Sequence, residues 1–178
     1  MICFWWKCLR IPRSLLSYRR TWQKMSGNSI VDEKEGTNFD LWTKDGDIET
    51  VYEEKLSETS FGNAENDERH IRKYHEIYEA NLKELCEKEL TMNQFFESYQ
   101  IFRNMLFVLK DNAKCNFVYP KSRKDLTARI MLAKEYLKPE YRERVNIIYV
   151  DEIVNQIMEG DYSKELRKYF NEFKSKYL

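Results

Sequence analysis

The sequence predicts one α/β domain, a mixed sheet flanked by helices, on three observations. An Asp45-Gly46 turn signal separates two alternating segments, which predicts an antiparallel hairpin. Two long stretches with apolar residues at steps of three and four follow, which predicts amphipathic helices. Two short apolar runs then enclose a third helical stretch, the pattern of a strand-helix-strand unit whose strands run parallel in a right-handed crossover.

The first segment, about Thr37 to Lys44, follows a polar linker from Ser26 to Gly36. Ile48 to Leu56 alternates and is expected to return beside it. Ile71, Tyr74, Tyr78, Leu82 and Leu85 place a buried stripe on a helix from about Ala64 to Leu90. Phe95, Phe96, Tyr99, Phe102, Leu106 and Leu109 do the same for a helix from about Met92 to Leu109, capped by Thr91 or Asn93. Cys115 to Tyr119 reads as a strand closed by Pro120. Ser122 and Asp125 have the spacing of a capping box for a helix through Leu126, Ile130, Ala133 and Leu137, and Pro139 is expected to end it. Val145 to Val150 is nearly all apolar, as for a strand buried on both faces. Leu166, Tyr169, Phe170, Phe173 and Tyr177 mark one side of a last helix.

With 178 residues, 42% hydrophobic and 15% aromatic, the chain has material for one real core, and 34% charged residues predict a soluble surface. The formal net charge is zero but uneven. Residues 1–30 hold Lys7, Arg10, Arg13, Arg19, Arg20 and Lys24 with no acid, leaving 24 basic against 30 acidic groups elsewhere. This divides the chain into a basic N-terminal segment, 1–30, disordered or truncated, and a domain over 31–178. The apolar opening stops at Lys7, too soon for a signal peptide or a membrane span. Cys3, Cys8, Cys86 and Cys115 form no C-x-x-C pair, which argues against zinc and fits a reducing cytoplasm.

Chemistry is concentrated in the hairpin. A turn at Asp45-Gly46 pairs Lys44 with Asp47 and sets Asp40 opposite Val51. Strand side chains alternate with period two, so Asp40, Val51, Glu53 and Lys55 are expected on one face. Diagonal neighbours lie roughly 7–8 Å apart at the backbone, near enough for two carboxylates to turn onto one cation. Hard oxygen ligands of this kind suit Mg²⁺ or Mn²⁺. Asp40 and Glu53 as metal ligands, with Lys55 serving an attacking water, make a set suited to phosphodiester hydrolysis. A Glu-x-Lys tripeptide alone is weak, since Glu172-Phe173-Lys174 repeats it on a helix face.

The residues Asn38 to Trp42, then Val51 to Ala64 (VYEEKLSETSFGNA), and then Tyr99 to Asn104 (YQIFRN) resemble the catalytic hairpin, exit loop and following helix of bacterial restriction-endonuclease-like PD-(D/E)XK proteins. The resemblance covers about residues 37–150 and implies the restriction-endonuclease-like fold. It further implies a Mg²⁺-dependent endodeoxyribonuclease of a restriction or defence system, with DNA as substrate, a cognate DNA methyltransferase and a homodimer. It puts a glutamine near the metal, here Gln100, with Arg103 and Asn104 one turn along. Two departures stand: Phe39 replaces the proline before the first acid, and residues 1–30 offer no additional acid, for which Glu33 or Glu35 is the substitute.

Lys121, Arg123, Lys124 and Arg129 follow a strand end, a place suited to gripping DNA phosphates, although a solvated basic face accounts for them nearly as well. Glu58 reads as a supporting or merely solvated acid, and His70 and His75 as helix residues rather than general bases. A second class of function stays open: a non-catalytic nuclease-like module that binds DNA or protein.

Overall fold

The structure, a computed structural model, describes residues 39–178. The basic segment 1–30, the linker, the beginning of the first strand, Glu33 and Glu35 lie outside the described residues.

The hairpin forms from β1 (Leu41–Asp45) and β2 (Ile48–Glu54), which are antiparallel with Asp45 opposite Ile48 and Lys44 opposite Glu49. The loop is therefore Gly46-Asp47, one residue later than the Asp45-Gly46 expected. Gly46 takes φ +59° at the first loop position, while Asp47 is not in the left-handed region. This is the glycine placement of a type II′ turn, whereas type I′ needs positive φ at both positions. The offset moves each strand by one residue, and the paired register ends at Leu41 opposite Tyr52; Asp40, just before β1, donates its N–H to Tyr52 O at 3.1 Å.

Two helical layers connect β2 to β3. The first starts at α1 (Glu68–Lys73), where the Asp67 carboxylate accepts from His70 N–H at 2.8 Å. It passes through a π-helical turn (Tyr74–Tyr78) and ends with α2 (Glu79–Leu85). The expected helix from Ala64 begins late because Ala64 N–H donates to Phe96 O, holding that stretch as loop. The second layer opens with α3 (Met92–Glu97), where Thr91 and Gln94 form a capping box. It breaks at Ser98 (φ −126°, ψ 33°), resumes as α4 (Tyr99–Met105) and tightens into a 3₁₀ turn (Leu106–Leu109). The elbow releases Gln100 N–H to donate to Gly62 O at 3.1 Å, which a continuous helix would forbid.

β3 (Ala113–Tyr119) lies parallel to β2, and β4 (Val145–Tyr149) parallel to β3, giving the order β1-β2-β3-β4. Between them run α5 (Lys124–Lys134) and the short α6 (Pro139–Arg142). Ser122 caps nothing here: the N-cap is Arg123, and Asp125 pairs with the Arg123 guanidinium at 2.8 Å. Pro139 starts α6 instead of ending α5, since a missing N–H costs nothing at a first helical position. β4 is an edge strand and only its first residue is fully buried. Its apolar run reflects cover on the core face, where Ile147 and Tyr149 pack, followed directly by α7 (Val150–Glu159).

The main core gathers Val51, Cys115, Phe117, Tyr119 and Val145 from the sheet against Tyr78, Phe95, Phe102 and Leu126 from the helices. On the other face, Val118 and Leu56 pack with Val154, Ile157, Phe170 and Phe173 from α7 and α8 (Lys164–Tyr177). The described residues thus form an α/β unit with a mixed four-stranded sheet between helices, consistent with a restriction-endonuclease-like fold.

Candidate active site

At the end of β2 the alternation predicted from sequence carries Glu53 and Lys55 inward, 4% and 8% exposed, on the face that also buries Val51. The Lys55 ammonium sits 2.9 Å from Glu53 Oε1 and 5.9 Å over the Phe61 ring. Burying such a pair demands further partners, because a carboxylate stripped of water costs several kcal/mol, about what one well-placed cation returns. Those partners come from α4. Gln100 Nε2 donates to Glu53 Oε1 at 2.6 Å, and Asn104 Nδ2 donates to Oε2 at 3.1 Å.

Gln100 is held at its other end as well. Its Oε1 accepts from Gly62 N–H at 2.8 Å, which leaves the amide nitrogen aimed at Glu53. Asn104, 2% exposed, is the component to which sequence reasoning gave no role. Its spacing of four from Gln100 on one helix face is the signal that points to it.

Asp40 stands exposed just before β1. Its Oδ2 accepts from Glu54 N–H at 2.7 Å. Burial pushes the Glu53 carboxyl up; Lys55 and the Asn104 bond pull it down, and the Asp40 charge adds to the rise. Glu54, half-buried beside Asp40 and Glu58, is pushed up to about 7, again first by burial and then by its acidic neighbours. Carboxylates held against mutual repulsion are what a divalent cation relieves. Among the described residues no group of three or more His, Cys, Asp and Glu stands together as a metal cage. Mg²⁺ asks for less than a cage, being commonly held by one or two carboxylates while it keeps several waters.

The cations expected at DNA divide into two kinds. Lys121 and Lys124 are exposed; Lys121 lies 3.9 Å from Glu152 and over the Tyr149 ring. Arg123 donates to the carbonyls of Glu58 and Thr59 at 2.7 and 2.8 Å. Arg129 donates to Phe61 O, Asn63 Oδ1 and Glu97 O at 3.5, 3.1 and 2.8 Å. Both guanidinium groups therefore hold the loop that leaves β2. His70 and His75 each bond a local acid, Asp67 and Glu79, at 2.9 Å, and the Glu58 carboxylate accepts from Ser57 N–H.

A family model described as Restriction Endonuclease associating with ARP matches residues 20–178, and so spans the hairpin, α4 and the whole sheet. The chain belongs to that family. Restriction Endonuclease associating with ARP makes it a restriction-endonuclease-related protein, a coarser class than the PD-(D/E)XK superfamily its hairpin resembles. No curated protein and no solved structure matches it.

Proposed function

We propose that the chain is a Mg²⁺-dependent endodeoxyribonuclease of the PD-(D/E)XK type, acting in restriction or defence. One observation carries the reading: Glu53 and Lys55 are buried together on one sheet face, Gln100 bonds the Glu53 carboxylate, and Asp40 stands just before the neighbouring strand.

Asp40 and Glu53 would hold the metal, with Mn²⁺ as a substitute. Bound Mg²⁺ supplies a lowered pKa for a coordinated water and an electrostatic partner for the scissile phosphate. Lys55 has three N–H donors and spends one on Glu53, leaving others to orient the attacking water or meet a phosphate oxygen. Gln100 and Asn104 keep the Glu53 carboxylate from swinging out of place, and Phe61 walls the Lys55 ammonium on one side. Lys121 and Lys124 are the exposed cations for the DNA backbone, while Arg123 and Arg129 add positive potential from the loop they hold. A DNA methyltransferase, a second copy of the chain and, from the family's description, ARP are the partners this reading expects. A cytoplasmic location goes with it; no described helix is long and apolar enough to cross a membrane.

The second reading, a non-catalytic DNA- or protein-binding module, is favoured by the Glu53 carboxylate already being shared among Lys55, Gln100 and Asn104. Plasmid incubated with purified protein and Mg²⁺, beside an Asp40→Ala control, separates the two. Cutting by the native chain alone supports the nuclease; equal cutting by both, or none by either over varied DNA substrates, overturns it.

A further inference from the structure

The guanidinium of Arg129 stands where an unbroken set of hydrogen bonds leads to the candidate active site. All three of its acceptors are uncharged oxygens: Phe61 O, Asn63 Oδ1 and Glu97 O. A guanidinium directed at neutral carbonyls is used for its planar fork, which spans several acceptors at fixed angles, more than for its charge. Phe61 and Asn63 flank Gly62, whose N–H is the donor that fixes Gln100 Oε1. Gly62 O in turn accepts from Gln100 N–H, and Ala64 N–H donates to Phe96 O. Glu97 closes α3 just before the Ser98 elbow that frees Gln100 N–H. Arg129 therefore ties α5 to both segments whose relative placement sets the Gln100 amide, and that amide donates to Glu53 Oε1 at 2.6 Å.

We infer that Arg129 is a positioning residue: it locks the loop at residues 61–63 onto the α3–α4 elbow, so that Gly62 N–H holds Gln100 with its amide turned to Glu53. This goes beyond the nuclease reading in assigning Arg129 a task inside the protein rather than at a DNA phosphate, and its catalytic consequence rests on that reading. Arg123, at the N-cap of α5, makes similar bonds to Glu58 O and Thr59 O, but those residues do not flank Gly62.

The test is Arg129→Lys, which retains the charge while a single ammonium cannot span three acceptors. Amide exchange is followed by NMR at Gly62, at the Gln100 side-chain carboxamide and, as a core reference, at Phe117 in β3. Loss of one to two hydrogen bonds predicts exchange about tenfold faster at Gly62 and Gln100, with Phe117 unchanged. In Mg²⁺-dependent cutting, kcat falls about tenfold while KM for DNA holds, and a Gln100→Leu, Arg129→Lys double variant is no slower than Gln100→Leu alone. The inference is overturned if Gly62 keeps its protection, or if Gly62 and Phe117 speed up together, as in general destabilisation. It is equally overturned if kcat survives while a variant lacking the charge, Arg129→Ala, loses about one from the salt slope of DNA binding, the mark of a phosphate contact. Should the native chain cut nothing, the nuclease reading fails, and the exchange comparison still decides the positioning role.

Discussion

Asp40→Asn separates the candidate chemistry from the fold. The side chain keeps its shape, and its amide oxygen can still accept from Glu54 N–H, the bond that Asp40 makes at 2.7 Å. What disappears is a charge that works against Glu53 and Glu54. Carboxylates at the roughly 5–8 Å spacing of cross-strand neighbours repel by about 0.5–3 kcal/mol for an effective dielectric between about 80 and 20, and an exposed Asp40 belongs near the lower end, about 1 kcal/mol. Replacing a charge-assisted hydrogen bond by a neutral one costs about 0.5–1 kcal/mol in the other direction. The two nearly cancel, so metal-free stability is expected to change by less than about 1 kcal/mol, or less than about 4 °C in melting temperature for a chain of this size. Cutting, by contrast, loses a metal ligand and is expected to fall at least about a hundredfold. Thermal melts in EDTA at pH 8, beside plasmid nicking in Mg²⁺, measure both. Cutting within about threefold of the native rate would remove Asp40 from the site, and a metal-free melting temperature lower by well over 4 °C would make it a structural anchor.

Three further outcomes follow from the same geometry. Glu54 is raised from 4.5 to about 7 in the folded chain, so its protonated form is favoured there; its contribution to stability is complete below pH 4.5 and is lost as pH rises to about 7. Glu54→Gln should flatten metal-free stability across that window and raise it above pH 7; an unchanged pH profile by chemical denaturation would show that the carboxyl is not held up. Mg²⁺ at ten times its dissociation constant should stabilise the native chain by about 1.4 kcal/mol and leave Asp40→Asn unmoved, a difference that scanning calorimetry detects; equal shifts in both chains would place the ion elsewhere. Phe61→Ala removes a buried ring, 1% exposed and edge-on to Phe117, that also lies under the Lys55 ammonium. It should cost about 3–5 kcal/mol in urea unfolding, and a loss under about 1 kcal/mol would mean the loop repacks freely.

The hairpin was legible from the sequence because everything that specifies it is local. A period of two put Val51, Glu53 and Lys55 on one face, and all three are buried there although the loop is displaced by one residue. The helical stripes were legible for the same reason, as was the parallel unit built on Cys115–Tyr119 and Val145–Tyr149. Tertiary structure alone decided how the buried carboxylate is satisfied. Gln100 and Asn104 reach Glu53 from 47 and 51 residues away, and only the break at Ser98, made possible by a bond to Gly62, sets the first of them in place. It also set Arg123 and Arg129 against carbonyl oxygens of the loop after β2. Their position in the chain identifies cations near a strand end, but whether a guanidinium meets phosphate or backbone carbonyl depends on which loop packs beside it, and no local periodicity encodes that.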